Sequence, residues 1–273
     1  MKSEKPKAIF CWSGGKDSAY CLHKVLSEQQ FDVKYLLTTL NETFKRVSMH
    51  GVREDMLDAQ AASVGIPLLK VWTSEGTYNE YEKKMEAALL KAKAEGIEHV
   101  IFGDIFLEDL RTYRENNLAK VGMKAVFPLW KMDTSYLILD FLHQGFKTIT
   151  CCVNDGYLGE DWVGKEVDGL FIEDLPANVD PCGENGEFHT YCYDGPLFKH
   201  KINFEAGEKV YKPLEVKFIS NTLDKKDDVC PVPSSTPKKA KVSTKGFWYF
   251  DILPVGVHKE IVSAKENKNN VFK

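Results

Sequence analysis

The chain opens on a short apolar run, Ala8-Ile9-Phe10-Cys11-Trp12, that breaks at Ser13-Gly14-Gly15. A helical pattern follows at once, with Ala19, Leu22, Val25 and Leu26 on one face. The pair predicts a buried strand running into a helix. Residues 33–40 read as a second strand, His50-Gly51 opens a helix through about Val64, and residues 67–72 read as a third strand. The next helix carries Tyr81, Met85, Ala88, Leu89 and Ala92 on one face and stops at Gly96. A fourth strand at 99–103 ends at Asp104. Strands alternating with helix-length crossovers predict an α/β fold, a doubly wound parallel sheet covered on both faces. Ligands of such sheets bind beyond the carboxyl ends of the strands. The turn at 13–15, the His50 loop and Asp104 all follow strands, so all are expected on that edge.

Past Pro128 the pattern changes. Asp133 is placed to cap a helix carrying Leu137, Ile138, Phe141 and Leu142, and residues 147–153 read as a strand. A glycine-rich polar stretch follows, then strand-like runs around Tyr191 and at 210–219. This predicts a nucleotide-binding domain over residues 1–130 and a smaller α+β domain over 131–219. From 221 to 246 the chain turns to Lys, Asp, Pro and Ser, the composition of a linker. The apolar run at 247–255 is expected to pack on its own protein. All the polar motifs precede this tail, so its removal is expected to leave nucleotide binding in place, unless the apolar run covers the core.

Composition narrows the function classes. A 273-residue chain with 43% hydrophobic and 28% charged residues suits a water-soluble globular protein. Its net charge of −4 gives no bulk attraction to nucleic acid, and no apolar run approaches membrane-spanning length. The first five residues lack the apolar segment of a signal peptide, so a cytoplasmic protein is expected. Seven cysteines without a Cys-x-x-Cys pair argue against a disulfide framework or zinc ribbon. Vicinal Cys151-Cys152 reads as core, whereas Cys182 adjoins a polar motif.

Three clusters carry candidate chemistry. Ser13-Gly14-Gly15-Lys16-Asp17-Ser18 points backbone amides and the positive end of a helix at one spot, where a phosphate fits. Lys16 adds a charge, and Ser13 and Ser18 add hydroxyl donors. His50, with Arg53 three residues on, stands at a helix start where either a phosphate contact or a plain cap is expected. In Gly103-Asp104 the carboxylate sits at a strand end, placed to hold magnesium or a ribose. Glu108, Arg111 and Glu115 share a helix face, the usual spacing of an exposed ion-pair ladder. Finally, Gly183-Glu184-Asn185-Gly186-Glu187-Phe188-His189-Thr190 crowds carboxylates, an imidazole and a hydroxyl at the entry to a strand. Glu187 and His189 are expected on one side of that strand, with Glu187 as base and His189 orienting or replacing it.

Ser-Gly-Gly-Lys-Asp-Ser resembles the PP-loop of the ATP pyrophosphatase superfamily. With His50-Gly51, Gly103-Asp104, Glu108, Arg111 and residues 183–190 in this order, roughly residues 7 to 219 resemble the diphthine–ammonia ligase (ATP-binding domain 4) family. The resemblance implies an ATP-dependent amidation: a carboxylate is adenylated with release of pyrophosphate, and ammonia then displaces AMP. It implies ATP bound by residues 13–18, His50, Gly103 and Asp104, and magnesium on Asp17 and Asp104. Lys16 would join Glu187 and His189 in catalysis. Glu108, Arg111, Gly183, Glu184, Asn185, Gly186, Glu187 and Thr190 would meet the substrate. In the family's characterised role that substrate is diphthine, a modified histidine of elongation factor two. A homo-oligomer is compatible with this reading. Two other functions fit a PP-loop: tRNA modification, which predicts paired cysteines or a basic appendage, and nucleotide sensing without turnover, which leaves 183–190 unexplained.

Overall fold

The computed structural model describes residues 4–47, 49–74, 78–214 and 243–256. Its first half is a mostly parallel sheet. Strand β1 (Lys7–Cys11) lies between β2 (Asp32–Asn41) and β5 (His99–Ile101), and β6 (Lys124–Val126) extends the sheet beyond β5, all parallel. On the other edge of β2, β4 (Leu68–Thr73) pairs with residues 36–41. The two-residue β3 (Arg46–Val47) pairs antiparallel with Leu40 and Asn41. Because β4 already holds one edge there, β3 takes the edge beyond the end of β1. That position hangs the His50 loop beside the turn that follows β1.

Alternation along β1 explains the layers. Ala8 and Phe10 enter one core with Ala19, Leu22 and Val25 of α1 (Lys16–Glu28) and Met56, Leu57 and Ala61 of α2 (Glu54–Val64). Ile9 enters the other with Leu89 and Ala92 of α3 (Tyr78–Ala94) and Leu118 of α4 (Glu108–Lys120). Both faces of the sheet are therefore covered, as strand–helix alternation requires. The helix expected from His50 begins only at Glu54. Met49 (φ 66°) and Gly51 (φ 69°) take left-handed backbone that no α-helix admits, and the chain turns back between Val47 and Val52 instead.

The second half is a smaller antiparallel sheet in the order β8 (Phe188–Asp194), β7 (Lys147–Asn154), β10 (Gly246–Pro254), β9 (Phe204–Pro213). It is approached through α5 (Thr134–His143), whose N-cap Asp133 accepts the backbone N–H of Tyr136 as expected, and the short α6 (Gly169–Asp174). Residues 215–219 of the last expected strand, most of the expected linker and the chain end lie outside the described residues. The apolar run at 247–255 does pack on its own protein, as an interior strand with β7 on one side and β9 on the other. This second sheet shares its core with α1 and α2, through Phe188, Tyr191 and Ile252. Among the described residues no helix is long and apolar enough to cross a membrane, and six cysteines are free thiols.

One side chain locks the two sheets together. Gln60 of α2 is fully buried and accepts the indole N–H of Trp12 at 3.0 Å. Its amide nitrogen donates to the carbonyls of Gly14 (2.8 Å) and Cys192 (2.6 Å). Gln60→Ala would leave the buried Trp12 indole donor unpaired, at about 1–3 kcal/mol, and would take one donor from the carbonyls of Gly14 and Cys192, of which Gly14 keeps the N–H of Cys192. The variant is expected to lose on the order of 2–4 kcal/mol in urea unfolding. An unchanged unfolding midpoint would contradict the role. The position of β10 also revises the expectation for the tail. A chain ending at residue 245 loses the strand between β7 and β9 and is expected to be insoluble or to melt without cooperativity. A truncated protein with the wild-type thermal transition would show that β10 is dispensable.

Candidate active site at the junction of the two sheets

The turn after β1 has the shape its sequence implies. Gly14 sits at φ 80°, a conformation that costs other residues strain, and a Cβ there would lie 2.5 Å from Gln60 Oε1. Ser13 Oγ lies 3.1 Å from Ser18 Oγ and accepts the N–H of Gly15. Ser18 donates to the carbonyl of Gly15 at 3.0 Å. The first turn of α1 then presents amides that have no intrahelical acceptor. Gly103 packs on this turn, since a Cβ on it would stand 3.3 Å from the backbone of Asp17.

The second sheet closes over the turn. The N–H of Lys16 donates to the hydroxyl of Thr190 at 3.0 Å, and the N–H of Cys192 to the carbonyl of Gly14 at 2.8 Å. A Cβ on Gly15 would lie 3.1 Å from both His50 Cε1 and the carbonyl of Thr190, so glycine keeps a cradle open there. The Lys16 side chain is 2% exposed. Its ammonium contacts both Asp17 oxygens (2.7 and 2.9 Å) and the carbonyl of Cys182, and lies 5.5 Å over the Phe188 ring. Residues 13–18 and 183–190, far apart in sequence, thus meet directly.

Charge is concentrated around that ammonium. Burial opposes the charge on Lys16, but its acidic neighbours, Asp17 foremost, outweigh it and raise its pKa. The carboxyl of Asp17 is itself raised by burial, against the pull of Lys16 and with help from Asp180. Glu184, half-buried, is raised well above the carboxylate range, by burial first and then by Asp17, with Asp104 and Asp180 adding to it. One cation and several carboxylates leave an acidic pocket that favours a further cation. Among the described residues no three His, Cys, Asp or Glu side chains form a ready metal cage. Magnesium needs none, since one or two carboxylates with substrate phosphates suffice.

Both imidazoles are pushed toward the neutral form. Burial brings His50 down to about 4, and its Nδ1 lies 3.3 Å from the carbonyl of Thr190, which fixes Nδ1–H as donor. His189 is held well below the usual imidazole value by burial, then by His50 and Lys16. The two rings stand 4.6 Å apart, and among the described residues the buried His189 Nε2 has no hydrogen-bond partner.

Other expected residues are placed differently. Strand β8 starts at Phe188, so Glu187 belongs to the loop and does not share a strand face with His189. Its carboxylate is fully buried and accepts from Asp180 N (3.0 Å), Asn185 N (2.8 Å) and Asn185 Nδ2 (3.0 Å). Gly183 and Gly186, at φ 71° and 81°, shape that loop, and Asn185 is exposed at its tip. Asp104 is clasped by Arg114, with Nε 2.7 Å from Oδ2 and Nη2 3.1 Å from Oδ1. Arg111 bonds Glu115 at 2.8 Å and stacks on Phe127 and Trp130, while exposed Glu108 pairs with Lys131 at 3.3 Å. Arg111 and Glu115 form the ion pair that their helix spacing allows, whereas Glu108 turns to Lys131 and stays out of the expected ladder. Arg53 is taken by Asp251. Cys182 meets Lys16 through its carbonyl, and its thiol points to the carbonyl of Thr134.

Several site residues escaped the sequence reading. Gln60 sits on the apolar stripe of α2 with Met56, Leu57, Ala61 and Val64, and a polar residue on such a stripe was the available signal. Nothing local singled out Asp180, which holds the loop by accepting from Cys182 N and the Thr134 hydroxyl. Arg114 also lines a cavity of about 100 Å³ with Cys11, Leu37, Tyr81, Met85 and Phe102, next to the turn.

Comparison with known proteins agrees with this layout. The family model described as diphthamide synthase N-terminal domain matches residues 6–125, and the diphthamide synthase C-terminal domain matches 133–221. The diphthine–ammonia ligase of Bos taurus is 26% identical over 262 residues, 82% of this chain and 94% of that protein. That of Danio rerio is 27% identical over 225 residues, 72% of this chain and 86% of its own length. The Saccharomyces cerevisiae enzyme is 24% identical over 84% of this chain, which spans 40% of that longer protein. With both domain models matched in order, and the motifs of each meeting at one junction, the chain belongs to the diphthine–ammonia ligase family.

Proposed function

We propose that this chain is a cytoplasmic, AMP-forming amide ligase that activates the carboxylate of diphthine on elongation factor two with ATP and transfers it to ammonia. The observation that carries the reading is the contact between residues 13–18 and 183–190, through Lys16, Thr190 and Cys182. An anion-binding turn alone would suit any PP-loop activity. A second polar loop laid directly over it suits a reaction with an activation half and a transfer half. Family membership favours this over tRNA modification or nucleotide sensing.

In the first half, a carboxylate oxygen attacks the α-phosphorus of ATP and the bond to pyrophosphate breaks. The first-turn amides of Asp17 and Ser18 and the Lys16 ammonium stabilise the charge that develops on the departing oxygens. The cavity beside Cys11, walled by Leu37, Tyr81, Met85 and Phe102, offers an apolar seat for the flat base. Asp17 and Asp104 would hold magnesium, and the raised carboxyl groups of Asp17 and Glu184 support a cation there. When bound, the metal supplies charge neutralisation of the triphosphate. Asp104 already has Arg114 as partner, so it would share its charge between the two.

In the second half, ammonia attacks the acyl carbon, the bond to AMP breaks, and the nitrogen loses a proton. His189 takes that proton in this reading on geometry: its Nε2 is buried and, among the described residues, has no hydrogen-bond partner. The burial, His50 and Lys16 that lower its pKa make it a weak base that holds the proton only in passing. Glu187, whose oxygens already hold three donors of its own loop, keeps the loop in shape instead.

Three variants test this division. Lys16→Ala is expected to lose ATP–pyrophosphate exchange, the loss of a charge-assisted contact weakening the step by about 1.5–3 kcal/mol. His189→Gln is expected to keep exchange within a few-fold and to slow amide formation about 10²–10⁴-fold. Glu187→Gln is expected to lower thermal stability and to affect both halves alike. Normal amidation by His189→Gln, or a selective loss of amidation in a stable Glu187→Gln protein, would return the base role to Glu187.

A further inference from the structure

The His50 loop is held from a part of the chain that lies beyond residue 221, where the second family model ends. The chain doubles back between Val47 and Val52, with Val47 N bonded to Val52 O at 2.9 Å and Gly51 N to Val47 O at 3.0 Å. Arg46 and Arg53 stand at its two ends, paired across an isolated antiparallel bridge. Both reach the same carboxylate of β10. Arg53 forks onto Asp251, with Nε 2.9 Å from Oδ1 and Nη2 2.7 Å from Oδ2, and Arg46 Nη1 lies 2.8 Å from Oδ1. Arg46 also donates to the carbonyl of Gly51 at 2.7 Å. Two residues before Asp251, the Tyr249 ring presses on the same turn: a Cβ on Gly51 would lie 2.7 Å from it. The tip between these clamps carries His50, against Gly15, Thr190 and His189.

We infer that Asp251, with Tyr249 beneath it, is a positioning residue for the active site: it staples the mouth of the 46–53 hairpin and so fixes the His50 imidazole over the phosphate-binding turn. A bidentate Arg–carboxylate pair sets both distance and plane, which a single charge contact does not. All three side chains are partly buried, with Arg46 27%, Arg53 31% and Asp251 20% exposed, so water competes less than at an open surface. Arg53 and Arg46 outweigh burial and hold the Asp251 carboxyl below its usual value, so it stays ionised. The alternative role is stability alone, in which β10 and the hairpin simply cohere. The inference rests on the proposed ligase activity for its kinetic test, but His50 itself gives a readout free of that activity.

A double-mutant cycle in the full-length chain separates the roles. Asp251→Asn is expected to lower kcat/KM for ATP in pyrophosphate exchange about 10–100-fold, the scale of a misplaced group. In a His50→Ala background the same substitution is expected to change it less than about two-fold. Histidine NMR of Asp251→Asn is expected to show the His50 ring resonances displaced. Asp251→Glu, which keeps the charge, should recover part of both effects. Should Asp251→Asn not fold, Arg46→Gln leaves the Arg53 fork intact and is read in the same way. An equal loss in both backgrounds, or unmoved His50 resonances in a folded variant, overturns the inference. If the wild-type chain shows no exchange, the ligase reading fails, and the resonances alone decide for or against Asp251.

Discussion

The structure turns on one contact: strand β8 lying across the turn that follows β1. Two backbone donors make it, Lys16 N to the Thr190 hydroxyl and Cys192 N to the Gly14 carbonyl. Gln60 supports it from below by bonding both Gly14 and Cys192. Without that contact the turn is a generic anion site and residues 183–190 are a surface loop. With it, they share a wall. Gly14 and Gly15 are glycines for this reason as much as for phosphate, because Gln60, His50 and Thr190 occupy the space a side chain would need.

Electrostatics follow from the same closure. Burying Lys16 is tolerable because Asp17 and a carbonyl surround it, yet the carboxylates outnumber it and raise one another. The imidazoles respond in the opposite sense, held neutral by burial and by the nearby ammonium. The pocket therefore sets cation-seeking carboxylates beside imidazoles held in the neutral form. Desolvation drives both sets of shifts, so the chemistry depends on the fit of the two sheets.

Much of the fold could be read from the sequence because apolar spacing encodes it. Ile9 against Ala8 and Phe10 announces a sheet covered twice, and the helix bearing Leu137, Ile138 and Phe141 begins at its predicted cap, Asp133. The His50 helix start was misplaced because left-handed residues at 49 and 51 end regular structure there. Glu187 looked like a base because Glu-x-His suggests one strand face, but the strand begins one residue later. Asp251 was invisible for another reason: its partners are about 200 residues away in sequence, and only the insertion of β10 between β7 and β9 brings it to them. Local pattern gave the motifs and their edge of the sheet. The second layer, Gln60, Asp180 and Asp251, needed the tertiary fold.

The central claim is that the junction activates a carboxylate as its adenylate. A turnover with diphthine-bearing elongation factor two, its diphthine carboxylate labelled with oxygen-18, tests this most directly. The account predicts label in AMP, because the carboxylate oxygen that attacks phosphorus leaves with it, and none in pyrophosphate. ADP with labelled inorganic phosphate would mean attack at the γ-phosphorus, and unlabelled AMP would mean that no acyl-adenylate forms. Either would contradict the account.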